Sequence, residues 1–206
     1  MSNETHKGLK RIRGRMLIAM PHMADPRFYK TTSAVIRHDA SGASAVIFNK
    51  PSRSLNLEEI CLDMGLKCID KWKNQPIYYG GPVNTSQVFI IHSHDYHDKD
   101  TVNISSGISV TSSKHLLQLI SEDNGPKLFK VAVGCALWSP EQLDDELEGA
   151  WPRGGVISWL HSDLTPQDVF TTKDNWDNAI DSYSTSMAKS ILKRLDTNHA
   201  KYYSSK

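Results

Sequence analysis

The apolar positions of this chain fall into short runs, and each run stops at a turn residue. Arg15–Met20 is almost continuously apolar and predicts a first buried strand, ended by Pro21. His22–Arg27 then reads as a loop, with Asp25 before Pro26 as a turn initiator. Ser33–His38 and Ala43–Phe48 predict a hairpin around Asp39-Ala40-Ser41-Gly42. Asn49-Lys50-Pro51 ends its second strand. Asn56 is placed to cap a helix over Leu57–Met64, with Glu58 and Glu59 in the first turn and Gly65 as the stop.

The stretch Gln75–Tyr96 organises the rest of the pattern. Ile77–Tyr79 and Val88–His92 flank Gly80-Gly81-Pro82, which predicts two strands meeting in a hairpin. A polar loop, His94–Asp100, follows. Val102–Val110 predicts one weak strand interrupted by Ser105-Ser106-Gly107. Thr111–Ser113 offers caps for a helix through Ile120, closed by Asn124-Gly125-Pro126. Leu128–Val133 predicts a strand, and the words after it predict a strand-to-helix turn. There Ser139 is the cap, Pro140 the first helical residue and Gln142 the completion of a capping box, with Gly149 as the stop. Val156–Leu160 predicts a last strand after Gly154-Gly155, and Thr165-Pro166-Gln167-Asp168 starts a short helix. From Asp174 to Leu195 the residues Trp176, Ile180, Tyr183, Met187, Ile191 and Leu195 recur at helical spacing, the stripe of a long amphipathic C-terminal helix packed on the body.

Composition narrows the classes. The 206 residues suit one large domain, and 39% hydrophobic residues can supply its core. The boundaries read as a basic tail over 1–14, a single domain over 15–197 and a C-terminal tail over 198–206. A formal net charge of +1 gives no global field for nucleic acid or an anionic membrane. Lys7, Lys10, Arg11, Arg13 and Arg15 cluster at the start, read as a solvated tail with a DNA-binding arm as the alternative. No run is long enough for a spanning helix, and the basic N-terminus lacks a signal peptide's apolar stretch. Cys61, Cys68 and Cys135 show no C-x-x-C pair. A cytoplasmic protein with free thiols is expected.

Candidate chemistry is sparse. His92, His94, Asp95, His97 and Asp98 crowd one segment with the side-chain types zinc takes, but no further ligand motif completes a closed site. No metal and no cofactor is therefore expected. Cys135, just before a helix cap, has the setting of an activated thiol, with His22 or His92 as its partner, or of an ordinary buried cysteine. There is no G-x-S-x-G, G-x-x-x-x-G-K-[ST] or G-x-G-x-x-G. Trp138 and Trp151 bracket the capped helix, as groove lining or as core. No catalytic residue is assigned.

Six words taken in order carry a resemblance. They are L-I-A-M-P-H-M-A-D-P-R-F (Leu17–Phe28), H-D-A-S-G-A-S-A-V-I-F-N-K-P (His38–Pro51), Y-Y-G-G-P-V (Tyr78–Val83), F-I-I-H-S (Phe89–Ser93), G-I-S-V-T (Gly107–Thr111) and G-C-A-L-W-S-P-E-Q-L (Gly134–Leu143). Together they resemble the bacterial YqgE/AlgH family over residues 14 to 180. The resemblance implies an α+β fold, a strongly bent mixed sheet forming a pseudo-barrel flanked by helices. It also implies a cytoplasmic bacterial protein labelled a transcriptional regulator, without an established reaction. The family often has Gly where Ala45, Leu137, Ser139 and Glu141 stand, Pro where His94 stands and Tyr where Cys135 stands. Those departures count against an obligatory Cys135 nucleophile and a metal site through His94.

The function expected is a non-enzymatic binding or regulatory protein whose partner is another protein or a small molecule. No membrane and no direct nucleic-acid contact is expected, since no helix-turn-helix pattern is present. The candidate site gathers strand ends: Asp25, Arg27, Asn49, Lys50, Pro51, Gly80, Gly81, Pro82, His92, Ser93, Gly134, Cys135 and Trp138. Two alternatives stand beside it. One is a hydrolase with His92 as base or metal ligand, assisted by Asp25 or Asp95. The other is a DNA-associated regulator using Lys7–Arg15.

Overall fold

A computed structural model describes residues 11–149, 157–171 and 176–187 of the chain. Lys7, Lys10, Trp151, Gly154, Gly155, Val156, Asp174, Ile191, Leu195 and the tail 198–206 lie outside the described residues.

The first strands follow the apolar runs. β1 is Arg15–Ala19, β2 is Thr32–Asp39 and β3 is Gly42–Ile47, with β2 and β3 joined as the expected hairpin. β4, Pro51–Asn56, has no counterpart in the apolar pattern because it is an exposed polar edge pairing only with β5, Pro76–Tyr79. Between them lies α1, Leu57–Asp63. Asn56 caps it and Glu59 returns the bond, so the capping box is complete.

β6, Val83–His92, corrects the organising hairpin. β5 and β6 do not pair with each other. β9, Phe129–Trp138, lies between them, parallel to β5 and antiparallel to β6. The Gly80-Gly81-Pro82 segment therefore crosses over β9. At that crossing a β-carbon on Gly81 would strike the Cys135 backbone, and one on Gly134 the Gly81 carbonyl; both glycines also have positive φ, 150° and 81°. The positive φ at Gly134 shifts the phase of the strand. Ala132 before it and Cys135 after it both face the interior cluster, an alternation that a regular strand does not allow.

The weak strand over Val102–Val110 is two strands. β7, Thr101–Ser105, and β8, Ile108–Thr111, pair across Ser106-Gly107. Ser113 caps α2, Lys114–Ser121. The start of α3, Gln142–Glu148, differs from the expected capping box. Its N-cap is Glu141, in a left-handed conformation without a side-chain cap bond, while Gln142 turns back to the Ser139 backbone N–H at 3.0 Å. Half of the reciprocal pair forms, two residues ahead of the helix. Gly149 ends α3 as expected. β10, Trp159–Asp163, and α4, Pro166–Phe170, follow, the latter with the Thr165–Asp168 capping box. Residues 176–187 are helical. Trp176 and Ala179 are buried and Ile180 packs on the core, whereas Met187 is exposed.

The fold is α+β. The ten strands among the described residues run in the order β10-β1-β2-β3-β9-β6-β8-β7, with β5 joining β4 to β9. All pairings are antiparallel except β5 with β9, so the sheet is mixed. It curls into a half-barrel. β7 is an edge strand, yet its Ile104 shares a core cluster with Met16 and Ile18 of β1. Arg13 donates to the Asn103 carbonyl at 2.8 Å, and Gly14 (φ 77°) leaves no room for a β-carbon against the Ile104 carbonyl. Ile12 is buried and its N–H donates to His38 Nδ1, while His38 Nε2 meets Asp144 of α3 at 3.1 Å. The basic segment is thus tied to the body from Ile12 onward. Trp176 of the C-terminal helix donates to the Ala19 carbonyl. Two further clusters lie outside the half-barrel. One packs α1 and α2 on Ile77, Ile90 and Val131; the other packs α3 and the 20–31 loop on Ala136, Trp138 and Trp159. None of the described helices is long and apolar enough to cross a membrane.

Candidate functional site

The second outer cluster opens into a cleft of about 670 Å³. Three stretches distant in sequence build it. The 22–28 loop supplies Asp25, Arg27 and Phe28, the crossover supplies Pro82 and Val83, and β9 with α3 and β10 supplies the floor. Trp138 and Trp159 meet edge to face at 5.8 Å, and Phe28 stands against them at 6.4 and 5.4 Å.

One carboxylate fixes this floor. Glu146 Oε2 accepts both indole N–H groups, from Trp138 at 2.9 Å and Trp159 at 2.6 Å. Its Oε1 accepts from Gln142 Nε2 at 2.9 Å, and Gln142 Oε1 in turn accepts from Ser139. The spacing of Gln142 and Glu146 puts both on one face of α3. The rings are held by charge-assisted bonds, not by packing alone.

The rim is polar on one side and apolar on the other. Arg27 Nε and Nη2 clamp the Asp25 carboxylate, with the shortest contact at 2.6 Å. That guanidinium holds the Asp25 carboxyl below the usual carboxylate range. His22 Nε2 lies 2.9 Å from the Ile157 carbonyl. Val83, Leu137 and Ile157 are exposed, with Leu137 the most open at 44%. An aromatic floor beside exposed aliphatic side chains suits an apolar group, and Arg27 Nη1, which takes no part in the Asp25 clamp, suits an acceptor at its edge.

Of the candidate site residues read from the sequence, Asp25, Arg27, Pro82 and Trp138 line this cleft, as does His22, the other proposed partner of Cys135. Gly80, Gly81 and Gly134 build the crossover beside it. Gly80 N–H donates to the Val133 carbonyl and its own carbonyl accepts from Ile47. Asn49 is committed to the backbone: Oδ1 accepts from Thr32 N–H at 2.8 Å and Nδ2 donates to the Lys30 carbonyl at 3.0 Å. The Lys50 carbonyl accepts from Tyr79 N–H, and Pro51 sits opposite Tyr78. Asn49, Lys50 and Pro51 are therefore joints between strands.

Cys135 is not in a strand-to-helix turn. It lies within β9, paired with Val83, and its side chain faces the half-barrel interior. Burial pushes the thiol up, against nucleophilic use. His92 and Ser93 belong to the other end of the sheet. His92 pairs with Phe129, six residues along β9 from Cys135, which is about 20 Å of strand. The single gathering of strand ends thus divides into two places. The His92 ring is fully buried, with both nitrogens engaged by the Ser93 carbonyl and Thr111. A general base needs a lone pair facing its substrate, and this ring has none free. Among the described residues no three His, Cys, Asp or Glu side chains are grouped to hold a metal ion.

Sequence reasoning missed Phe28, Gln142, Glu146 and Trp159 as site residues. The available signal was the Gln142/Glu146 spacing one turn after Trp138. It also missed Lys130, an amine in an otherwise apolar strand. Lys130 is 7% exposed, donates to the Phe48 carbonyl at 3.0 Å and sits 4.4 Å from the Tyr78 ring; burial pushes it down to about 8. A larger cleft, about 840 Å³, lies between β1, β10, α4 and the C-terminal helix; it is lined by Arg15 and Tyr183 among others but by none of the candidate site residues.

A family profile described as AlgH-like matches residues 16–188. A UPF0301 protein of Methylobacterium sp. (strain 4-46) is 33% identical over 165 residues, covering 76% of this chain and 75% of that protein. A UPF0301 protein of Thiobacillus denitrificans is 35% identical over 153 residues, covering 74% and 82%. The solution structure of the AlgH protein from Pseudomonas aeruginosa superposes with a TM-score of 0.70 at 27% identity, covering 94% of this chain and 96% of that one. A crystal structure of a protein from Corynebacterium diphtheriae, TM-score 0.62 at 19% identity over 81% and 84% of the chains, shares the fold.

Proposed function

Since this chain belongs to the AlgH-like family, and its fold sets an aromatic cleft under an Asp25–Arg27 arch, we propose that it is a non-enzymatic binding protein. The ligand is a protein segment or small molecule with an apolar body for the Trp138–Trp159 floor and an acceptor for Arg27. The observation that carries this is Glu146, which holds two indoles in fixed orientation beside a cleft of about 670 Å³. Rings fixed before binding lose little freedom on binding, and a cleft of this size falls in the range of small-ligand sites. Capture of such a partner gives a regulatory role, with any effect on transcription indirect. Free Cys61, Cys68 and Cys135 fit a reducing, cytoplasmic setting.

The test uses a fragment library of aryl and alkyl carboxylates and amides, read by NMR at the indole N–H signals of Trp138 and Trp159. Binders shift both signals, and Leu137→Arg, on the exposed rim, weakens them at least tenfold at an unchanged melting temperature. If no fragment moves either signal, or the rim variant binds like wild type, the cleft is not a binding site.

A further inference from the structure

His92 and Asp98 are joined by a line of hydrogen bonds. His92 Nδ1 lies 2.8 Å from the Ser93 carbonyl, and Nε2 lies 2.9 Å from Thr111 Oγ1. Thr111 Oγ1 lies 2.8 Å from Thr101 Oγ1, which lies 2.9 Å from Asp98 Oδ1. His92 and Thr111 are fully buried and Thr101 and Asp98 partly buried, so at the ring end of the line water cannot substitute for a missing partner.

Counting hydrogens decides what this line contains. A carbonyl and a carboxylate only accept. Four bonds separate them, and each needs one hydrogen. The two threonine hydroxyls supply one each and a neutral imidazole supplies one, so a neutral ring with an ionised Asp98 leaves two lone pairs facing each other. One added proton completes the line. On the ring, it makes the three bonds from Nε2 onward point toward Asp98, while Nδ1 donates to the Ser93 carbonyl. On Asp98, it makes the Asp98–Thr101–Thr111 bonds point toward Nε2. We propose that His92 and Asp98 hold this one proton in common through Thr111 and Thr101, and that its loss unlatches the 93–100 loop.

The surroundings bear on both ends. Burial pushes His92 toward the neutral form, while the Ser93 carbonyl, Asp95 and Asp98 draw it back and His94 opposes them. The Tyr96 ring stands edge-on to His92 at 5.7 Å. Asp98 Oδ2 also accepts from Tyr96 and from Ser113, the α2 cap, and Oδ1 accepts from Asp100 N–H; burial raises the Asp98 carboxyl, but these bonds and that from Thr101 outweigh it and hold it below the usual carboxylate range. Lys127 donates its backbone N–H to Asp95. The opposite strand positions offer Phe129 from β9 and Ser109 from β8, neither of them charged. Burial alone does not settle the ring, because a neutral ring beside an ionised Asp98 leaves one of the four contacts, all at 2.8–2.9 Å, without a hydrogen. The proton belongs to the pair, as in other coupled sites.

An unfolded chain above pH ~6.5 has neutral histidine and ionised aspartate. The folded chain then holds one proton more than the unfolded chain. The folding constant therefore falls about tenfold per pH unit, from about pH 6.5 up to the pH at which the latch opens. Lys130 acts with the opposite sign only above about 8, which leaves the interval between for measurement. The experiment is urea unfolding of the full chain from pH 6.5 to 8, wild type against Thr111→Val. Wild type loses stability along that slope relative to the variant, and amide protection in residues 93–100, taken relative to the intrinsic exchange rate at each pH, falls with it. A flat or rising difference overturns the proposal. Should Thr111→Val not fold, wild type labelled in its histidine rings and aspartate carboxyls decides at pH 7. Hydrogen on both His92 nitrogens, or on Asp98, supports the shared proton; a singly protonated ring beside an ionised Asp98 refutes it.

Discussion

Replacing Lys130 by Met removes a buried charge while keeping the chain's length. The amine has one hydrogen-bond acceptor, the Phe48 carbonyl, and two rings near it. Burial alone accounts for its fall from 10.5 to about 8, which corresponds to about 3 kcal/mol of differential stability between its protonation states. The sign follows from proton binding. The unfolded chain holds this proton more tightly, so the full penalty acts below about 8 and fades as pH rises toward 10.5. Wild type therefore gains about 2 kcal/mol on Lys130→Met between pH 7 and pH 9.5, whatever the variant gains or loses through packing. Urea unfolding of both proteins at the two pH values measures this, since tyrosines and other lysines cancel in the difference. A difference that moves by less than about 0.5 kcal/mol means that water reaches the amine.

Glu146→Ala leaves two indole donors without their acceptor in a largely buried floor. It should cost about 2–4 kcal/mol in urea unfolding and alter Trp138 and Trp159 fluorescence; a change below 1 kcal/mol shows that water replaces the carboxylate. Asn49→Ala removes both side-chain bonds that join Lys30 and Thr32 to the end of β3. It should lower stability by about 1–3 kcal/mol without acting on the cleft, and a variant as stable as wild type contradicts its role as a joint.

Local chemistry carried the readable part of this sequence. The Asn56 and Thr165 caps and the β2–β3 turn are settled within four residues of chain, and the structure repeats them. The misreadings involve partners far away in sequence. Ile77–Tyr79 and Val88–His92 have hairpin-like apolar runs around a real turn, but nothing local announces that residues 129–138 enter between them. Ser139 has every mark of a helix cap, yet the chain still needs two residues to leave β9, and the helix starts after Glu141. Part of the cleft was legible in Asp25, Arg27, Pro82 and Trp138, because loop and turn residues at strand ends are the ones free to face a ligand. Phe28 and Trp159 carry no local mark of a site until Glu146, which ties the two indoles together from α3, is placed beside them. The histidine-rich segment drew attention by composition, and the sheet carries it to the opposite end.

The insertion of β9 also sets an order of assembly. Contacts between β6 and β9 join residues roughly forty positions apart, and those between β5 and β9 more than fifty. A ribosome must release the chain to about Trp138 before the centre of the sheet can close, while β2 and β3 can meet much earlier. Until then Ile77, Ile90 and Ile91, all fully buried in the finished protein, stay uncovered. Slow closure through distant contacts makes this interval the one in which a nascent copy is exposed to sticking to its neighbours.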